Sequence, residues 1–334
     1  MRVPLSQAQA SPLNWRRVLQ EAVRDVSELA VLLELDIDEV LALSTPVEHF
    51  PLLVPRGFVA RMRKGDIRDP LLAQILPQAA ERLHVPGFSN DPLREHGLAD
   101  HGVMQKYAGR ALLIASGVCP VHCRYCFRRA FPYQAQIAIR DDWRGALTKL
   151  EDASDVTEVI LSGGDPLSVS NRRLASLLDA LESIESVQCV RIHTRFPIMV
   201  PERIDEELGR MLDVCALKTV VVVHCNHPNE LDSTVEAALL QLSQHVDLLL
   251  NQSVLLRSIN DEVEILTKLS YKLFSSGVLP YYLHMLDSVS GTAHFAVDAG
   301  RANALIAAVR GQLPGYLVPK LVREAAGGLS KTPL

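Results

Sequence analysis

Three cysteines crowd into eight positions, Cys119-Pro-Val-His-Cys123-Arg-Tyr-Cys126. Thiolates at C-x3-C-x2-C spacing on one tight loop supply three ligands to the irons of a cubic iron-sulfur cluster, or three of the four ligands of a zinc ion. A structural zinc needs a closed tetrahedral shell, and the chain has no second C-x2-C pair to complete one. His122 and the His224 to His227 group keep the zinc reading open. A cluster held by three cysteines leaves one iron vacant, and that vacancy is a coordination site for a small molecule. Cys189, Cys215 and Cys225 lie apart in or beside apolar segments, where a small buried thiol is the ordinary outcome.

Polar, reactive residues recur at one place in a larger pattern. Short β-branched or aliphatic runs stand at Ala111 to Ala115, Glu158 to Leu161, Val190 to His193, Thr219 to Val223, Val246 to Leu250 and Pro280 to Leu283. Helical periodicity fills the roughly thirty to fifty residues between them. Strand, helix, strand at this spacing predicts parallel βαβ units, and consecutive apolar positions suit a parallel sheet covered on both faces. The fold class is therefore α/β, with six units forming a barrel or partial (β/α)6 barrel. The cysteine cluster follows the first run, and Ser162-Gly163-Gly164-Asp165 follows the second. His193-Thr194-Arg195 stands at the third, His224-Cys225-Asn226-His227 after the fourth, Asn251-Gln252-Ser253 after the fifth, and His284 with Asp287 after the sixth. Such barrels build their sites from the C-terminal strand ends, so one site is expected to collect all six groups. Gly163 and Gly164 would let backbone approach a ligand and present N–H and C=O groups to it.

The first hundred residues read differently. Val18, Leu19, Ala22, Val23, Val26, Leu29, Ala30 and Leu33 form the stripe of one amphipathic helix from Trp15 to about Leu35. Prolines from 46 to 92 break the rest of this region into short helices and loops. The expected organisation is a helical region over 1–100, an α/β core over 101–297 and a C-terminal segment over 298–334. A chain of 334 residues, 48% hydrophobic and 22% charged, buries a large core. A net charge of -5 removes any global pull toward nucleic acid or anionic membrane. Met1 to Pro12 lacks a secretory pattern, and runs such as Val246 to Leu250 are far short of a membrane span, so a cytoplasmic location is expected.

The cysteine loop after a first strand and Gly-Gly-Asp-Pro after a second resemble the radical S-adenosylmethionine (SAM) enzymes. Over residues 90 to 334 the chain resembles the lysine 2,3-aminomutases more closely. The likeness is carried, in order, by Lys106-Tyr107-Ala-Gly-Arg110, Cys126-Phe-Arg128-Arg129, Leu-Ser-Gly-Gly-Asp-Pro-Leu and His224-Cys-Asn-His-Pro-Asn-Glu230. Asn251-Gln-Ser-Val-Leu-Leu-Arg257, Tyr281-Tyr-Leu-His-Met-Leu-Asp287, Pro314-Gly-Tyr-Leu-Val-Pro319 and Gly327-Gly-Leu-Ser-Lys331-Thr-Pro complete it.

The resemblance implies a radical SAM barrel with a 4Fe-4S cluster on Cys119, Cys123 and Cys126. It places S-adenosyl-L-methionine at the open iron, with Ser162, Gly163, Gly164, Asp165 and His224 around it. It also implies pyridoxal 5'-phosphate (PLP) held by Lys331, with Tyr107, Arg110 and Gln252 near the cofactor and its phosphate. Lys106 stands where the family more often has arginine, and Lys320 competes with Lys331 as the PLP lysine. Arg128 would grip the substrate carboxylate, while Asp287 and Glu324 would hold the side-chain ammonium of lysine, Glu324 replacing the usual aspartate. The activity implied is a 1,2 amino shift turning L-α-lysine into (R)-β-lysine, with electrons from a protein such as flavodoxin or ferredoxin. Larger family members continue well beyond the PLP lysine, whereas three residues follow Lys331. That resembles a shorter bacterial form, whose product is attached to translation elongation factor P by a lysyl-ligase. A mutase of another amino acid, and a zinc-stabilised binding module using Arg124, Arg128 and Arg129, are the alternatives.

Overall fold

Each of the six apolar runs lies wholly or partly in a strand, and three further strands join them in one nine-stranded sheet whose spatial order is the chain order. The computed structural model describes residues 14–45, 47, 50–133, 138 and 142–334; Met1 to Pro12, where a secretory pattern would stand, lies outside them. The strands are β1 (Val103–Tyr107), β2 (Arg110–Ser116), β3 (Glu158–Gly163), β4 (Cys189–Thr194), β5 (Lys218–His224), β6 (Leu248–Val254), β7 (Leu279–His284), β8 (Lys320–Arg323) and β9 (Thr332–Pro333). From β2 to β8 every pairing is parallel. β1 and β9 lie antiparallel on the outer sides of β2 and β8.

The sheet corrects the expected count and one boundary. Seven strands are parallel where the pattern located six, because β8 is a four-residue strand too short to register as an apolar run. β6 runs to Val254, so Asn251, Gln252 and Ser253 stand inside the strand rather than after it. Their polarity does not end the strand because Asn251 is satisfied sideways. Its Oδ1 accepts from Cys225 N at 2.9 Å and its Nδ2 donates to Cys225 O at 3.1 Å.

Helices cover the sheet by the usual periodicity. Asn171–Glu182 buries Leu174, Leu177, Leu178 and Leu181. Aspartates at 205, 232 and 298 start the helices Glu206–Asp213, Ser233–Ser243 and Ala299–Arg310, each accepting from an N–H three residues on. In the N-terminal region the expected single helix is two, Trp15–Gln20 and Val26–Leu32. Val23 leaves the helical path to exchange backbone hydrogen bonds with Val54, and Asp25 restarts the helix by capping Glu28 N. Leu29, Phe58, Leu71 and Leu72 from this region belong to the same buried cluster as Val159, Leu161, Val190 and Val221 of the sheet.

The sheet is strongly curled. At about 4.8 Å per strand, a flat sheet would hold β1 and β8 roughly 34 Å apart. Instead Lys106 Nζ on β1 lies 3.0 Å from the carboxylate of Glu324, the residue after β8, and Tyr107 donates to the same oxygen at 3.1 Å. The backbone ladder ends at β1 and β9, and side chains bridge the gap between the two ends. Among the described residues, no helix is long and apolar enough to cross a membrane.

Candidate active site

The cysteine loop leaves β2 and is fastened to the N-terminal region. His122 N donates to Leu53 O, the His122 ring contacts Pro51 O and stacks on Phe50, and Arg124 N donates to Gln74 O at 2.8 Å. Beneath the loop, the buried Glu81 carboxylate accepts from both Arg124 and Arg129. These pairings hold a polar loop on an apolar core without leaving buried charge unpaired. Cys119, Cys123 and Cys126 are free thiols on the wall of one cavity. Burial, then the neighbouring Cys126, raises Cys119 well above an ordinary thiol. Burial and Cys123 raise Cys126 to about 11. Arg195 Nη1 sits 2.5 Å from Cys123 Sγ and also donates to the Tyr125 hydroxyl. Among the described residues, no group of three His, Cys, Asp or Glu side chains is already gathered around a single ion position.

The two glycines after β3 line the cavity and also serve a packing purpose. Gly164 N donates to Ser116 O and Gly163 O accepts from Tyr133, while Asp165 N donates to Val118 O. A Cβ on Gly163 would lie 2.4 Å from Ser116 O, and one on Gly164 would lie 2.6 Å from Val118 O. Both residues are bare because the start of the cysteine loop packs directly on them. Asp165 completes the joint, accepting from Leu167 N, Thr194 Oγ1 and Arg195 N. Its burial raises it to about 6 in spite of those donors.

Across the cavity the chain folds back on itself. A turn with Gly327 at φ 73° reverses the backbone, and β9 pairs with β8 so that Lys331 is held inward. Lys331 Nζ lies 2.5 Å from Glu324 Oε2, while Glu324 Oε1 takes Lys106 and Tyr107. Burial would raise Glu324, yet Lys331 and Lys106 carry it down to about 2. Asp287 behaves oppositely: burial, then Glu324, raises it to about 7. Arg128 is buried between the Phe127 and Phe131 rings. It gives Nε and Nη2 to Glu95 at 2.7 and 3.2 Å, and Nη1 to Ser162 Oγ at 3.1 Å. Three of its five N–H groups are thereby used, and two are left on a guanidinium that lines the cavity. Arg110 lies over the Tyr107 ring, and its buried Nε has no partner among the described residues. His224 meets the Tyr125 hydroxyl at 3.0 Å, and burial holds it neutral.

One cavity, of about 330 Å³, is lined by the three cysteines, Lys331, Tyr107, Arg110, Arg128, Asp287, Glu324 and at least one residue from each of the six strand-end groups, whereas His122, Cys225, Asn226, His227, Asn251 and Ser253 do not line it. Gln252 reaches it from within β6 rather than from a loop. Lys320 is exposed at the start of β8 and does not line the cavity.

The chain matches no protein-family model. It is 44% identical over 322 residues, 96% of this chain and 94% of the relative, to the L-lysine 2,3-aminomutase of Escherichia coli. It is 42% identical to that of Haemophilus influenzae, covering 96% of this chain and 95% of the relative. The chain belongs to the L-lysine 2,3-aminomutase family. To the Clostridium subterminale aminomutase it is 32% identical, covering 96% of this chain and 77% of that longer relative. It is an isomerase of the radical SAM type, and relatives named as enzymes leave the zinc-bound binding module without support.

Within this aminomutase the sequence reading missed Glu95. It lies in a proline-rich segment with no chemical motif, 33 residues before the arginine it holds. A carboxylate shortly before the first strand, in a chain whose cavity is rich in cations, was the available signal.

Proposed function

We propose that this aminomutase converts L-α-lysine into (R)-β-lysine by a 1,2 amino shift, using a 4Fe-4S cluster, SAM and PLP. One observation carries the reading: the thiols of the cysteine loop and Lys331 line the same cavity, between a half-free arginine and two acids. When bound, the cluster and SAM supply a carbon radical that abstracts hydrogen, and PLP supplies an imine through which nitrogen migrates.

The donor set fits those groups. Cys119, Cys123 and Cys126 are the cysteines of this cavity lining among the described residues, and three soft ligands would leave one iron of a cubic cluster open. Lys331 would hold PLP, and the unpartnered Nε of Arg110 suits its phosphate, with Tyr107 and Gln252 alongside. Arg128 presents its two remaining N–H groups to the substrate carboxylate, a planar bidentate contact. Glu324 and Asp287 receive the side-chain ammonium. Lys331 pairs with Glu324 at 2.5 Å, and a Lys331 engaged in holding PLP would leave that carboxylate open to another cation. Ser162, Asp165 and His224 shape the cysteine side of the cavity, while the terminal hairpin brings Ser330 and Lys331 into its lining.

Near-complete coverage of the shorter relatives supports the short form of the family, the enzyme called EpmB. Its β-lysine would pass to a ligase that attaches it to translation elongation factor P, with flavodoxin or ferredoxin supplying electrons. A cytoplasmic setting and the division into regions 1–100, 101–297 and 298–334 belong to the same reading. Anaerobic purification followed by iron, sulfide and zinc analysis, with mass spectrometry of lysine turnover, tests it. Iron, sulfide and β-lysine are expected; stoichiometric zinc in a colourless protein, or turnover of another amino acid in place of lysine, overturns it.

A further inference from the structure

Glu95 links two residues at the centre of the proposed site. Its loop is shaped by Asp91, whose carboxylate accepts from Glu95 N at 2.7 Å and His96 N at 2.8 Å. The Glu95 side chain is buried and takes two cations, Arg128 along one guanidinium edge and Lys106 Nζ at 2.6 Å. Lys106 is shared, since its Nζ also lies 3.0 Å from Glu324 Oε1. An alternating row of charges therefore runs Arg128, Glu95, Lys106, Glu324, Lys331. Its first member is set for a substrate carboxylate, and its fourth for a substrate ammonium.

A cation placed between two carboxylates neutralises each in proportion to its closeness. Lys106 sits closer to Glu95, so Glu324 keeps more of its charge for another partner. Without the charge on Glu95, the Lys106 ammonium keeps Glu324 as its ion-pair partner, with Asp287 nearby, and would cancel more of the negative charge there. Without the charge on Lys106, Glu324 would attract a cation more strongly. We propose that Glu95 and Lys106 are the positioning pair that sets this site's selectivity for a cationic side chain: Glu95 restrains Lys106 and so leaves Glu324 available to the substrate. The inference rests on the reading that Glu324 meets the substrate ammonium.

The test uses the cluster- and PLP-loaded enzyme without reductant, so that ligands bind but do not react. Calorimetry compares L-lysine with L-norleucine, which has the same carbon skeleton and lacks the ammonium. Changes at Arg128 affect both ligands alike and cancel in the ratio of their affinities. Glu95→Gln is expected to lower the lysine-to-norleucine ratio about tenfold or more, and Lys106→Gln to raise it. A pair that merely supports the fold would move the ratio the same way in both variants, or not at all, and either result overturns the proposal. Loss of PLP absorbance in Lys106→Gln also overturns it, by making Lys106 a cofactor ligand. If Glu95→Gln does not fold, Lys106→Gln decides alone, a raised ratio supporting and an unchanged or lowered one refuting. A wild-type enzyme that does not distinguish lysine from norleucine refutes the underlying site reading instead.

Discussion

Lys331 and Glu324 form an ion pair of 2.5 Å across the turn joining β8 to β9. The amine read as the PLP carrier thus rests on the acid read as the receiver of the substrate's cation. Borohydride reduction of the PLP-loaded enzyme is expected to label the peptide containing Lys331. Lys331→Ala should lose the label and Lys320→Ala should keep it, as peptide mapping will show.

Glu324 lies near 2 when folded, against an ordinary 4.5. A depressed carboxyl adds stability that is fully present above its unfolded value and lost as pH falls toward its folded value. The cofactor-free Glu324→Gln protein should therefore melt below wild type at neutral pH. The two melting curves should converge as pH falls from about 4.5 to about 2.

Asp287 carries the opposite sign. Its folded value near 7 lies above the ordinary 3.8, so ionising it costs stability progressively as pH rises between those values. Asp287→Asn should melt above wild type at about pH 8, with the difference vanishing below about pH 4. Thermal melts of the cofactor-free proteins over that range check the prediction.

Gly164→Ala places a Cβ against Val118 O and the carbon of Gly117 at 2.6 and 2.7 Å, so the cysteine loop must move. A loss of about 1–3 kcal/mol in stability is expected from overpacking of this kind. The variant should also take up less iron and sulfide per chain on anaerobic reconstitution than wild type does.

Arg128→Lys keeps the charge but loses the fork that meets Glu95 on one edge and leaves two donors free. The KM for lysine should rise about ten- to a hundredfold, as for loss of one charged hydrogen bond. Steady-state kinetics under anaerobic conditions measure it.

What the sequence disclosed was local. Cys119 to Cys126 is one loop, and the apolar runs that became β2 to β5 and β7 announce themselves by composition. The glycines at 163 and 164 were legible as special but not as packing elements, because the atoms they accommodate belong to residues about 46 positions earlier. The break at Val23 depends on Val54, and the length of β6 on the Asn251 contact with Cys225. Glu95 acquires meaning only beside Arg128 and Lys106. Each of these was set by a partner distant in the chain, which periodicity does not reveal.

The curled wall joins its two ends through charge rather than through amide pairing. Backbone ladders are indifferent to dissolved ions, whereas contacts such as Lys106 to Glu324 weaken as ionic strength shields them. The line between β1 and β8 is therefore a laced rather than a welded edge, its lacing a largely buried ion pair that salt shields less than an exposed one.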